Sequence, residues 1–165
     1  MYTIYHGKVA RGFQFASGEA VNRKSNPSPF SDGTLRLQER FFRAKAFDMI
    51  REIPNLFWGT INVEIDRDLT LVTPDVTVAN VDWTREQAKP GARIAPETFS
   101  FVRCCLAADG VYHSGMLYYP HPETKPTTNE HRFNVLEVLS HKVEGLAYGD
   151  DVAVICRADA FKRRS

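Results

Sequence analysis

The sequence predicts a mainly β domain, closed into a small barrel and carrying one substantial α-helix. Apolar residues alternate with polar ones at period two over most of the chain, the spacing of a half-buried strand. One stretch, 35–53, instead repeats its apolar residues at three- and four-residue steps, as on one helix face. The 165 residues, 43% hydrophobic and 25% charged, suit a single domain of about 100–200 residues. A chain of that size buries about 70% of its unfolded surface, so no disulfide staple is required.

The period-two segments, in order, are 2–9, 60–65, 76–81, 99–107, 111–119, 133–139 and 152–156. Asp109-Gly110 falls between two of them and reads as a hairpin turn. The helix is carried by Leu35, Phe42, Ala46, Met49, Ile50 and Ile53. Asp32 or Thr34 can cap its start, and Pro54 bars its continuation. A shorter helical turn is expected over 141–146, closed by Tyr148-Gly149. The stretches 22–33, 83–96 and 120–130 are polar and Pro-containing loops. Loops of about 12 residues exceed the usual connection and often serve as lids or binding loops. Many short strands favour closure, because closing a sheet removes its exposed edges.

Composition excludes several classes. Lys and Arg number 21 against 20 Asp and Glu, a formal charge of +1. So balanced a chain has no global field to draw nucleic acid or an anionic membrane, leaving only a local patch. Eleven Phe, 6 Tyr and 2 Trp argue against disorder, and nothing resembles a collagen, a coiled coil or a basic tail. Cys104, Cys105 and Cys156 are an odd, unpatterned set. Adjacent Cys104 and Cys105 would point to opposite faces of a strand, which disfavours a shared metal. They read as small apolar residues in a reduced cytosol. Residues 1–7 lack the apolar core of a signal peptide, and no stretch approaches the roughly 20 apolar residues that span a bilayer. A soluble, cytoplasmic protein with no membrane partner is the expectation.

Three segments can carry chemistry. In Gly59-Thr60-Ile61-Asn62-Val63-Glu64, Ile61 and Val63 face a core, so Thr60, Asn62 and Glu64 share the other face. A hydroxyl, an amide oxygen and a carboxylate are hard donors of the kind Mg²⁺ accepts beside substrate phosphates; the same pattern also describes an ordinary solvated strand face. Gly7, Lys8, Arg11 and Gly12 could wrap a polyphosphate with backbone N–H groups. They lack the Walker arrangement, and a plain β-turn fits as well. Finally, His131 precedes a strand on which Glu137 alternates with apolar residues. Projecting into whatever cavity the barrel encloses, Glu137 could accept a proton from a substrate hydroxyl. His131 could orient a ligand or change charge near neutral pH. An outward carboxylate and a loop histidine are the plainer alternative.

Taken in order, these segments resemble the archaeal-type CTP-dependent riboflavin kinases. The counterparts are the glycine segment 7–16, helix 35–53, Gly59-Thr60-Ile61-Asn62, the His-to-Glu stretch 120–137, and 146–152 with its Gly149-Asp150-Asp151-Val152. The resemblance implies a six-stranded cradle-loop β-barrel that transfers a nucleotide γ-phosphoryl group to the riboflavin 5′-hydroxyl. It implies Mg²⁺ at Thr60 and Asn62, a nucleoside triphosphate (CTP favoured) at Gly7, Lys8, Arg11 and Gly12, and riboflavin or a similar small acceptor near His131. Glu137 would be the carboxylate at the accepting hydroxyl.

The chain departs from the family where its loop repeats glycine, carrying Gln14 and Ala16 instead. Side chains there can hinder close approach to a phosphate. A non-catalytic barrel that kept a nucleotide or small-molecule pocket is therefore the alternative. The ending 144–154 also resembles the turn and strand of swapped-hairpin transcription factors, with a basic tip at Lys162, Arg163 and Arg164. The near-neutral charge argues against that nucleic-acid reading.

Overall fold

A computed structural model of the chain describes residues 1–12, 33–85, 93–125 and 131–165. Strand β1 (Tyr2–Ala10) is followed by helices α1 (Thr34–Lys45) and α2 (Phe47–Arg51). Then come β2 (Ile61–Ile65), β3 (Leu69–Leu71), β4 (Val76–Val81), β5 (Glu97–Ala108), β6 (Val111–Pro120), β7 (Val135–Ser140), β8 (Asp151–Arg157) and β9 (Phe161–Arg163). Each period-two segment of the sequence is a strand, with ends shifted by a residue or two. Neighbours run β4-β5-β6-β7-β2-β1-β8, and β8 returns to pair with β5. Six antiparallel strands thus close a barrel, and β4 is an extra strand outside it.

One edge of β5 serves two partners. Its first half pairs with β4, Val76 opposite Phe101, and its second half with β8, Cys104 opposite Cys156. On its other edge β5 runs into β6 through Asp109-Gly110, whose φ values of 48 and 74° are both positive. That is the backbone of a two-residue hairpin turn with the right twist.

Alternation then sorts side chains onto two faces. Val63, Val102, Leu106, Leu117, Leu136, Val138, Val152 and Val154 form one apolar cluster, which fills the barrel interior. The opposite parity on β5, β6 and β7, with Phe99, Phe101, Met116, Tyr118 and Leu139, faces outward into a second cluster. There it meets Leu35, Phe42, Ala46, Met49 and Ile50 of the helical segment. Phe42 has no exposed surface and sets its ring edge-on to Phe99 and Phe101, at 5.2 and 4.9 Å.

The helix predicted as one piece over 35–53 is interrupted. Ala46, at φ −112° and ψ 24°, leaves helical geometry between α1 and α2. Its methyl is buried in the same apolar cluster, so the apolar periodicity continues across the break. Gly33 occupies the N-cap position without a side-chain cap; Asp32 lies outside the described residues. The helical turn expected over 141–146 is absent: the segment forms turns, anchored by a bridge between Leu56 and His141. Two short strands were not predicted. β3 and β9 pair as a ribbon that places Leu69 and Phe161 against the interior cluster. The basic tip therefore begins on a buried ring, and Arg164 lies 3.7 Å over Phe133. Among the described residues no helix is long and apolar enough to cross a membrane.

The docking of α1 on the outer wall rests on Phe42. Phe42→Ala is expected to cost about 3–5 kcal/mol, read as a fall in the urea midpoint at unchanged slope. A loss below about 1 kcal/mol would show that the helix is held by something else.

Candidate functional site

A cavity of about 610 Å³ lies against the outer face of the barrel wall, within the span of about 300–1,000 Å³ common for small-molecule sites. Its lining comes from the end of β1, the start of α1, the β2 approach, and the β5, β6 and β7 wall. The turns at 141–148 complete it. Glu137 was expected to project into the space the barrel encloses. That interior is packed by aliphatic side chains, and parity turns Glu137 outward, into this cavity beneath the helix.

The floor is a row across adjacent strands. Ala10 on β1 stands opposite Asn62 on β2, and Asn62 stands opposite Glu137 on β7. Tyr118 on β6 continues the row, one residue beyond the Leu117 and Val138 pair. Directly opposed residues share a face, so an amide, a carboxylate and a phenol converge on one wall. Thr60 enters from the residue before β2. Gly12 explains how Asn62 fits: a Cβ at position 12 would collide with the Asn62 amide. The glycine also lines the cavity.

The polar groups here are underused. Among the described residues, the side chains of Thr60, Asn62, Glu137 and Lys125 make no hydrogen bond within the chain. These side chains are partly exposed to the cavity, so their donors and acceptors stand open to a ligand. Burial pushes the Glu137 carboxyl above the usual range, while Lys125 and Arg132 pull it back. Both cations line the cavity. Thr60, Asn62 and Glu137 supply hard oxygen donors, which suits a divalent cation held by few side chains and by substrate phosphates. Among the described residues no group of three or more His, Cys, Asp or Glu side chains forms a closed metal cage.

A second polar cluster, missed in the sequence, lies in a buried part of the lining. Glu97 is 4% exposed and accepts a hydrogen bond from Trp83 Nε1 at 2.7 Å. Tyr118 donates to Gln38 Oε1 at 3.0 Å. Burial raises the Glu97 carboxyl, opposed by Trp83 and Lys125. Tyr118 rises well above its ordinary value through burial, then through Glu137 and Glu97. Two signals could have found this cluster. Gln38 interrupts the apolar helix face between Leu35 and Phe42, and Glu97 keeps parity with Phe99 and Phe101.

The remaining predicted residues lie apart. Gly7 packs so closely on β2 that a Cβ would strike the Glu64 carbonyl. Lys8 forms an exposed ion pair with Asp151 at 2.7 Å. Arg11 sits over the Tyr148 ring at 5.2 Å, at the cavity mouth. Glu64 is exposed, opposite Lys8. His131 belongs to a separate crevice between Tyr119 and Phe133, with ring centroids at 5.2 and 4.6 Å. Burial, with Lys125 and Arg164, lowers it to about 4. It is therefore neutral at physiological pH and does not change charge there. Gln14 and Ala16 lie outside the described residues.

Elsewhere, Ser100 Oγ is 2.8 Å from His121 Nε2, and His121 Nδ1 is 3.0 Å from Glu123. These are the distances of a nucleophilic triad. Ser100 has no exposed surface, however, and its hydroxyl also bonds Thr77 at 2.7 Å. The chain ties β4, β5 and the end of β6 together and offers no face to a substrate. No family model matches the chain, and no curated protein matches it in sequence.

Since the folded Glu137 holds its proton more tightly than the unfolded chain, its ionisation opposes folding as pH rises above the unfolded carboxyl value. Glu137→Gln is therefore expected to raise Tm at about pH 7.5, with the gain fading below about pH 4. Thermal unfolding across that range reads it directly. An unchanged or lower Tm at the upper pH would contradict the strained carboxylate.

Proposed function

We propose that the protein is a Mg²⁺-dependent phosphotransferase of the CTP-dependent riboflavin kinase kind, built on a cradle-loop barrel. It would move the γ-phosphoryl group of a nucleoside triphosphate, CTP favoured, to the 5′-hydroxyl of riboflavin. The observation that carries this reading is the meeting of Thr60, Asn62 and Glu137 in one cavity beside Lys125 and Arg132. The resemblance joined the first three by sequence order alone, and the fold brings them together.

Phosphoryl transfer asks the protein mainly for positioning and charge stabilisation. Mg²⁺, held by Thr60 and Asn62 with the phosphates, would neutralise the charge on the transferring group. Lys125 and Arg132 add positive charge on the same wall. Glu137, with no hydrogen-bond partner among the described residues, would accept the proton of an attacking hydroxyl. Its raised pKa brings it closer to the pH at which a general base is most effective. Phe57 and Tyr148, 48 and 58% exposed, stand at the mouth, where a flat ring can lie against them. Of the predicted nucleotide residues only Gly12 lines the cavity.

A binding barrel without catalysis is the second reading, motivated by Gln14 and Ala16 where the family carries glycine. Incubation with Mg-CTP and riboflavin, followed by chromatography for FMN, separates the two. Product is expected. Ligand-induced stabilisation without product from any common nucleoside triphosphate supports the binder and removes the kinase.

Thr60→Ala and Asn62→Ala are each expected to abolish turnover while the far-UV spectrum is kept. Glu137→Gln should lower kcat by about 10²–10⁴-fold, the usual range for losing a general base. Full activity in both alanine variants would remove the metal assignment. Gly12→Ala tests the wall from the other side: by displacing Asn62 it should cut turnover with little change in Tm.

A further inference from the structure

The cavity has a polar end that phosphoryl transfer does not use. Glu97 belongs to its buried lining, on the first residue of β5, and is 4% exposed. A carboxylate that enclosed is costly unless its oxygens are paired. Trp83 pairs one of them, donating Nε1–H to Oε2 at 2.7 Å. Among the described residues the other, Oε1, takes no hydrogen bond, and no ion pair reaches the group. Indole is a donor only, so Trp83 fixes the carboxylate without satisfying it.

The surroundings define what could complete it. Tyr118 and Gln38 are committed to each other at 3.0 Å. Phe99 stacks on Tyr118 at 5.5 Å and 16°, which stiffens that wall as a flat aromatic surface. Glu97, Tyr118 and Glu137 all line this one cavity. A molecule whose hydroxyl reaches Glu137 can therefore extend within the same cavity toward Glu97.

We propose that Glu97 is a specificity residue whose Oε1 accepts a hydrogen bond from a ring N–H of the acceptor molecule, so that this end of the cavity selects planar heteroaromatic acceptors with an imide-type donor. The proposal rests on the phosphotransferase reading, because that reading fixes which end of the acceptor meets Glu137. Burial pushes the Glu97 carboxyl above its usual range, and Trp83 and Lys125 pull it back toward the ionised, accepting form. A site built to pair a substrate N–H rejects analogues that lack it far more strongly than an apolar pocket rejects a missing methylene.

The test uses riboflavin binding, followed by quenching of flavin fluorescence without nucleotide, in the native protein and in Glu97→Gln. The glutamine must give its oxygen to Trp83, leaving its NH₂ facing the ligand donor. Riboflavin is compared with its N3-methyl derivative, which has no imide N–H. The native protein should bind the methylated form at least about tenfold more weakly. Glu97→Gln should bind riboflavin about tenfold more weakly and no longer distinguish the two. CTP affinity should change less than about twofold, and Tm should show the variant folded.

Riboflavin binding that ignores both the methyl group and the substitution overturns the role of Glu97 and leaves the kinase reading intact. A loss confined to CTP shows that Glu97 reads the nucleotide base, and overturns the proposal as stated. Failure of the native protein to bind riboflavin, together with no FMN formed, overturns the kinase reading and this proposal with it.

Discussion

The pairing of β8 with the second half of β5 turns a seven-stranded sheet into a closed barrel, and parity then assigns every side chain on the wall. Once the interior is filled by Val63, Leu136, Val138, Leu106 and Val154, the residues between them have only the outer face. For Asn62 and Glu137 that face is not solvent. The helical segment, held by Phe42 on the Phe99 and Phe101 rings, covers part of the same wall and leaves a cavity beside its start. Closure makes the polar row, and helix docking makes it a site.

The site sets local stability against function. Among the described residues Glu137 has no hydrogen-bond partner, and Glu97 has one oxygen paired. Each arrangement costs more than an apolar side chain of the same shape would. Such unpaired groups in a native structure call for an explanation, and a bound ligand that completes them is the simplest. Other polar side chains away from the cavity are paired conventionally, among them the Ser100, His121 and Glu123 chain and the Lys8 and Asp151 ion pair. The contrast locates the site more sharply than the cavity volume does.

The legible parts of the sequence are those where a periodic pattern runs over five residues or more. All seven strands of the main sheet show alternation, and Asp109-Gly110 marks its hairpin by the positive φ both residues adopt. β3 and β9, of three residues each, are too short to show a period. The 141–146 segment has helix-compatible residues, yet tertiary pairing of His141 with Leu56 holds it as turns. Within the candidate site, Thr60 and Asn62 stood out as the polar face of an alternating strand, and Glu137 as the one charge among Val135, Leu136, Val138 and Leu139. Glu97 was not, since its strand was expected to begin at Phe99. His131 and Lys8 are chemically able side chains whose surroundings, an aromatic crevice and an ion pair, are set by residues distant in sequence.

The central claim is that the outer-wall cavity, and no other surface, receives the metal and the phosphates. Crystals grown with Mn²⁺ and a non-hydrolysable CTP analogue test it through anomalous scattering. A manganese peak between the Thr60 and Asn62 side chains, with the phosphates turned toward Lys125 and Arg132, is the expected result. A nucleotide lodged outside this cavity, with no manganese beside Asn62, would contradict it.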